Sequence, residues 1–308
     1  MKFPVFDLHC DTADKLLAGA EMNKNNEHID LQRASTLPGY AQCFACFTTT
    51  GGKYNPVDVF EKKLALLMSE LMKNSDKMTQ VFDAEGIEAN RENGIMSAIL
   101  TIEGPAGFGF DPALLDDLYK IGFRITTLGW NEDNPLTGSH ITGGGLKKLG
   151  REYVREAQRL GMIVDVSHIS DAGFWDIMEI TNAPVIASHS NSRAVWDNSR
   201  NLTDEMFRAI CKTGGVVGVN LYPAFLGENA SVETVCRHVL HFASMDPECA
   251  HIALGGDLDG IETTPADFAG VQDYPKLADA LLRNGLTDDQ VHRIFWDNAL
   301  GVIKRCCT

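Results

Sequence analysis

The chain has 308 residues, 44% of them hydrophobic, enough for one large core in a single catalytic domain spanning 1–308. Its 27 basic and 42 acidic residues leave a formal charge of -15, which argues against nucleic acid or an anionic membrane as the main partner. No run approaches the ~18 apolar residues of a membrane span, the opening MKFPVFDLHCD lacks the apolar core of a signal peptide, and no apolar tail marks a lipid anchor, so the expectation is a cytoplasmic protein.

The first strand is read over 5–11, VFDLHCD, where Asp7, His9 and Asp11 stand at alternate positions. Residues two apart on a strand share a face, so His9 and Asp11 should point the same way. A short helical piece follows at 12–19, then a polar irregular stretch to 39 and a second strand over 40–48. In the helix expected from 57 to about 77, Phe60, Leu64, Leu67, Leu71 and Met78 recur at the helical period. Another is expected over about 80–93, stopped by Asn93-Gly94. The third strand is 95–104. The helix of 111–122 starts at Asp111-Pro112, and the fourth strand is 123–130. A loop rich in turn residues leads to a helix over 146–160, a fifth strand over 162–168, and a helix capped by Ser170 or Asp171. The sixth strand is 183–190. Thr203 caps the next helix, and the seventh strand is 215–221. A helix over 231–245, an eighth strand over 251–257 and two closing helices, about 275–284 and 288–304, complete the chain. Eight strands, several of them near-continuous apolar runs and mostly separated by helices, give the (β/α)8 barrel pattern. The alternative, a doubly wound open sheet binding a dinucleotide, lacks its Gly-x-Gly-x-x-Gly after the first strand.

Eight scattered cysteines do not make a disulfide scaffold. Cys43 and Cys46 lie three apart on a strand and should face opposite sides as buried thiols, while Cys306 and Cys307 are expected to be exposed.

The strands can also be read by their last residues. Strand one ends in His9 and Asp11, three in Glu103, five in His168, six in His189, and eight in Asp257 and Asp259. In a barrel all these ends meet on one face, where active sites are built. Alone, a strand-end carboxylate often caps a helix and a strand-end histidine often packs. Only nine histidines exist, however, and three of them fall at these ends. Imidazole and oxygen donors without sulfur suit zinc, manganese or iron. Three histidines with three carboxylates exceed one tetrahedral ion and suit two metals sharing a bridging carboxylate. Among the other histidines, only His140, in the long fourth loop, has a path to the mouth; His28, His238, His241, His251 and His292 have no comparable setting.

In order along nearly the whole chain, the motifs FDLHCDT, TIEG, DVSH, PVIASHS and GGDLDG resemble those of the membrane (renal) dipeptidases, zinc metallopeptidase family M19, on an amidohydrolase-like TIM barrel. The resemblance implies two zinc ions per chain, with other divalent metals able to substitute. His9, Asp11 and Asp257 would hold one, His168 and His189 the other, and Glu103 would bridge them. It implies hydrolysis of dipeptides, with a D-residue tolerated at the C-terminal position, by a hydroxide bridging the two zincs, and Asp257 moving the proton. Arg200 matches the arginine that holds the substrate carboxylate, and Tyr222 matches a pocket-lining position. Arg193 does not match that arginine and is expected to form a loop salt bridge. Trp130 stands where mammalian members carry a substrate-contacting histidine, so Asn131, the metals or an infolded His140 would have to polarise the carbonyl. The absent leader and anchor resemble a bacterial cytoplasmic member, and a homodimer is expected from family habit. The alternative is a related binuclear hydrolase acting on another amide, lactam or lactone. A non-catalytic binding protein would have no need of such a ligand set.

Overall fold

The computed structural model describes residues 2–307. Nine strands run parallel: β1 Val5–Cys10, β2 Tyr40–Phe47, β3 Met78–Gln80, β4 Met96–Glu103, β5 Phe123–Thr127, β6 Ile163–Asp165, β7 Val185–Ile186, β8 Val217–Val219 and β9 Ile252–Leu254. Eight follow the order β7-β6-β5-β4-β2-β1-β9-β8, and a parallel bridge from Ala187 to Val217 joins the two ends into a barrel. The first and last strands are therefore neighbours. The expected eight-stranded barrel is the architecture found.

The ninth strand, β3, is a correction. Met78 is expected on the apolar face of the helix from 57 and Gln80 at the start of the helix over about 80–93, but 78–80 pair alongside β4 outside the barrel path, and the following helix begins only at Ala84, capped by Asp83. The closing helix over 288–304 is also interrupted, because Arg293–Asp297 widens into a π turn.

Sequence signals at the helix ends are used as expected. Ser170, rather than Asp171, caps Asp171–Ile180 by accepting from the Gly173 amide, and Thr203 caps Asp204–Thr213. Gly122, Gly161 and Gly214 end their helices in the left-handed conformation.

The apolar side chains fall into two groups. Phe6, Cys43, Ile99, Ile125, Ile163, Ile186, Val216 and Ala253, from every barrel strand or its edge, pack together with Trp296 and Ala299 of the closing helices. The larger group, including Cys46 and Phe44, packs between strands and outer helices. Cys43 and Cys46 thus do lie on opposite sides. The carboxy-terminal thiols are not exposed as expected. Cys307 is buried in the same cluster as Trp296, with its sulfur near the Gly161 carbonyl, and Cys306 is half-buried. Among the described residues no helix is long and apolar enough to cross a membrane.

Candidate metal centre

Parallel strands deliver their last residues to one rim. His9 and Glu103 are the penultimate residue of β1 and the last of β4, and Asp11, His168, His189 and Asp257 follow within three residues of β1, β6, β7 and β9. Local backbone departures aim them. The β1–β2 register slips between Asp7 and Cys10, so Asp7 pairs across to Gln42 while Cys10 pairs with Phe44. The slip separates Asp7 from His9. Asp7 turns to accept hydrogen bonds from the backbone amides of His9 and Gly256 and from the Tyr274 hydroxyl, while His9 enters the mouth. His168, Asp257 and Asp259 adopt positive φ of 69°, 58° and 69°, a conformation that non-glycine residues take mainly where surrounding structure imposes it.

Two ligand groups emerge around Glu103. One of its oxygens lies 3.5 Å from His9 Nε2, and the other lies 3.0 Å from His168 Nε2 and 3.8 Å from His189 Nε2. His9 Nε2 is also 3.4 Å from Asp11 and 3.9 Å from Asp257. His9, Asp11 and Asp257 form one set with ligand atoms within 4.8 Å of one another, and His9, Glu103 and His189 form another. All six expected ligands are brought together. Asp259 is not among them: it accepts from the Thr12 hydroxyl at 2.6 Å and the His28 amide at 2.7 Å, and so ties down the loop that carries His28.

These donors fit a pair of divalent cations. His9 Nε2 and Asp11 Oδ1 are buried without a hydrogen-bond partner, which is costly unless something else occupies the lone pairs. A Cβ on Gly260 would lie 2.1 Å from Asp11 Oδ2 and 2.7 Å from Asp257 Oδ1, so only glycine keeps these carboxylates clear. The electrostatics tell the same story. Burial and the charge of Glu103 push Asp11 up to about 8. Burial raises Asp257 to about 6, and His9 only partly offsets it. Burial works against the charge on Glu103 and on His9 alike, yet the two hold each other ionised, Glu103 far below and His9 well above its usual range. Burial and Arg200 lower His168 to about 3, and burial and His9 hold His189 well below its usual range, leaving both as neutral imidazoles ready to ligate. Carboxylates this crowded cannot all ionise without cations among them.

Behind the ligands stands a second layer. Ser188 Oγ sits 2.7 Å from His189 Nδ1 and donates to Asp165, whose other oxygen accepts the amides of Ser167 and Ser188. Asn220 donates to Asp257 Oδ2 at 2.9 Å. Sequence reading passed over both. Asn220 is the penultimate residue of the seventh expected strand, as His9 is of β1, and the strand-end rule applied there would have found it. Asp165 lies three residues before His168 inside the same motif, with nothing in its spacing to mark it as a support.

A cavity of about 510 Å³ opens over the centre, lined by Asp11, Glu103, Asp257, Trp130, Asn131 and Tyr222 among others. Trp130 stacks obliquely on Phe47, with ring centres 5.0 Å apart, and Tyr222 packs edge-on against Phe225. Arg200 does not line this cavity. It is 3% exposed and lies beside a small adjoining void that shares His168. One guanidinium nitrogen donates to Ser190 Oγ at 3.0 Å, while Nε and Nη2 have no partner. Arg193 makes the expected loop salt bridge, two-pronged to Asp171.

The family description "Membrane dipeptidase (Peptidase family M19)" matches residues 1–307. The chain belongs to this family. An uncharacterized dipeptidase of Schizosaccharomyces pombe is 38% identical over 216 residues, 68% of this chain and 53% of that protein, so the match spans about half of that relative's length. An uncharacterized Klebsiella pneumoniae protein from the pqqA 5′ region is 33% identical over 264 residues, 81% of this chain and 97% of that one. Among solved structures, a metallo peptidase from Rhodobacter sphaeroides, liganded with a phosphinate mimic of L-Ala-D-Ala, superposes with a TM-score of 0.91 at 26% identity, covering 99% of each chain. The M19 resemblance expected from the motifs is therefore the family found.

Proposed function

We propose that the chain is a metal-dependent dipeptidase that tolerates a D-residue at the C-terminal position. The observation that carries this reading is Glu103 dividing its two oxygens between two ligand groups, beside a buried guanidinium with two unpartnered nitrogens. His9, Asp11 and Asp257 would hold one cation, His168 and His189 the other, with Glu103 shared; zinc suits both sets. Bound there, the pair supplies a hydroxide nucleophile at neutral pH and Lewis acidity toward the peptide carbonyl. Asp257 accepts the proton of the attacking water and returns it to the leaving amine, its carboxylate steadied by Asn220. The free N–H pair of Arg200 has the geometry for a carboxylate and restricts substrates to very short peptides. Trp130 and Tyr222 wall the cavity, and the Asn131 amide offers a donor toward the substrate. The Rhodobacter relative's ligand, a mimic of a D-terminated dipeptide, supports this substrate class.

The test is release of free amino acids from L-Ala-D-Ala and L-Ala-L-Ala by protein dialysed against chelator and reloaded with zinc. Cleavage of both is expected, with Arg200→Met raising KM for dipeptides at least tenfold. No cleavage by protein carrying two zincs would overturn the reading. Hydrolysis of a lactam or lactone lacking a carboxylate, indifferent to Arg200→Met, would favour another binuclear hydrolase.

A further inference from the structure

His140 folds against the centre without being a ligand to it. Its Nε2 is 2.9 Å from Asn131 Oδ1, its Nδ1 is 2.9 Å from Ser199 Oγ, and its backbone amide donates to the His168 carbonyl at 2.8 Å. The same Asn131 oxygen lies 2.8 Å from Nδ1 of His168. One amide oxygen thus faces two imidazole nitrogens.

We infer that His140 is a positioning residue, which locks the Asn131 amide so that its oxygen fixes the His168 tautomer and its NH2 faces the cavity. This deepens the two-metal peptidase reading and rests on it. A carbonyl oxygen only accepts, so both facing nitrogens carry hydrogen. His168 is then the Nδ1–H tautomer when a cation is bound, with the Nε2 lone pair directed at the place between Glu103 Oε1, 3.0 Å away, and His189 Nε2, 2.9 Å away. A neutral imidazole has one N–H and one lone pair, and His140 meets one partner at each ring nitrogen. With its hydrogen committed to Asn131, His140 Nδ1 accepts from Ser199, whose hydroxyl can serve either way. Flipping the amide would set its NH2 against the His168 Nδ1–H that a cation on Nε2 requires. Amide direction and ligand readiness are therefore one choice, and the His140 contact holds the amide in it. Ser199 precedes Arg200, so the same contact ties the loop of the carboxylate clamp to the ligand of the second cation.

Metal ligands whose outer hydrogen bonds are removed typically lose about 10–100-fold in affinity. Zinc titration against a competing chelator should show one of the two binding steps weakened about tenfold in His140→Phe, the other unchanged, and both normal in His140→Gln, which can donate to Asn131 and accept from Ser199. Proton–nitrogen correlation spectra of the zinc-loaded wild type should show His168 as Nδ1–H and His140 as Nε2–H. Wild-type His140 found as the Nδ1–H tautomer would overturn the inference, as would His140→Phe binding both zincs normally or His140→Gln behaving like His140→Phe. None of these readouts uses substrate. An inert protein with the expected tautomers and titrations would refute only the dipeptidase reading, and an active one with normal His140→Phe titrations only this inference.

Discussion

Gly260 occupies the point where Asp11 and Asp257 come closest to the backbone, and a methyl group there must displace a carboxylate. Its backbone is not in the left-handed region, so Gly260→Ala adds bulk without backbone strain. The expected result is a metal-free protein that melts within a few degrees of wild type but binds the cation of the His9–Asp11–Asp257 group ~10-fold more weakly, read by competition with a chelator. Normal binding would mean that the carboxylates sit elsewhere in the loaded protein. Glu103→Gln makes the complementary case. It removes the one charge that both groups share, so stoichiometry measured by metal analysis after dialysis should fall toward zero, and loss of a single ion would show that Glu103 serves one site only. At this scale the ligands were legible because polar residues at the ends of apolar strands stand out. Their supports were legible only in part. Asn220 shares the strand-end setting, whereas Asp165 acts through a hydrogen bond to Ser188, and such a pairing leaves no periodic trace in sequence.

Among the elements, the helix Val232–Met245 carries a buried histidine that no site uses. His238 Nδ1 accepts the Ser192 amide at 3.1 Å and Nε2 donates to the Leu226 carbonyl at 3.0 Å, an arrangement open only to neutral imidazole. Burial lowers its pKa to about 4. The unfolded chain, titrating near 6.5, takes up this proton first, so the stabilisation is complete above about pH 6.5 and is lost as pH falls toward 4. The loss should reach about 3 kcal/mol. Urea unfolding of wild type and His238→Gln at pH 7 and pH 4.5 isolates it, and parallel losses in the two proteins would refute it. Sequence placed the barrel strands and most helices because their apolar runs and caps are strong local signals. It missed β3, whose Met78-Thr79-Gln80 is too short and too polar to show alternation and which forms only because β4 offers an edge. It also misjudged Cys307, since nothing local reveals that the chain end tucks against Trp296.

For the whole molecule, the centre gathers residues from both ends of the barrel sequence, so cations bound there stabilise only the closed fold. At a hundredfold excess over Kd, one site contributes about 2.7 kcal/mol. Thermal unfolding should therefore shift downward on chelation and recover with zinc. An unchanged midpoint in protein shown to carry metal would mean that the ligand groups bind it equally well unfolded.

The adjacency of β1 and β9 has a consequence for biosynthesis. On the ribosome, Glu103, His168 and His189 have all been made once residue 189 is added, whereas His9 and Asp11 wait for Asp257, about seventy residues later. At ordinary elongation rates that delay is roughly 3–14 s. The backbone bonds that seat the late arrival, from the Asp257 amide to the His9 carbonyl and from the Asp11 amide to the Leu258 carbonyl, join the youngest strand to the oldest. The two ligand groups are thus born in sequence, and only the second birth seals the barrel.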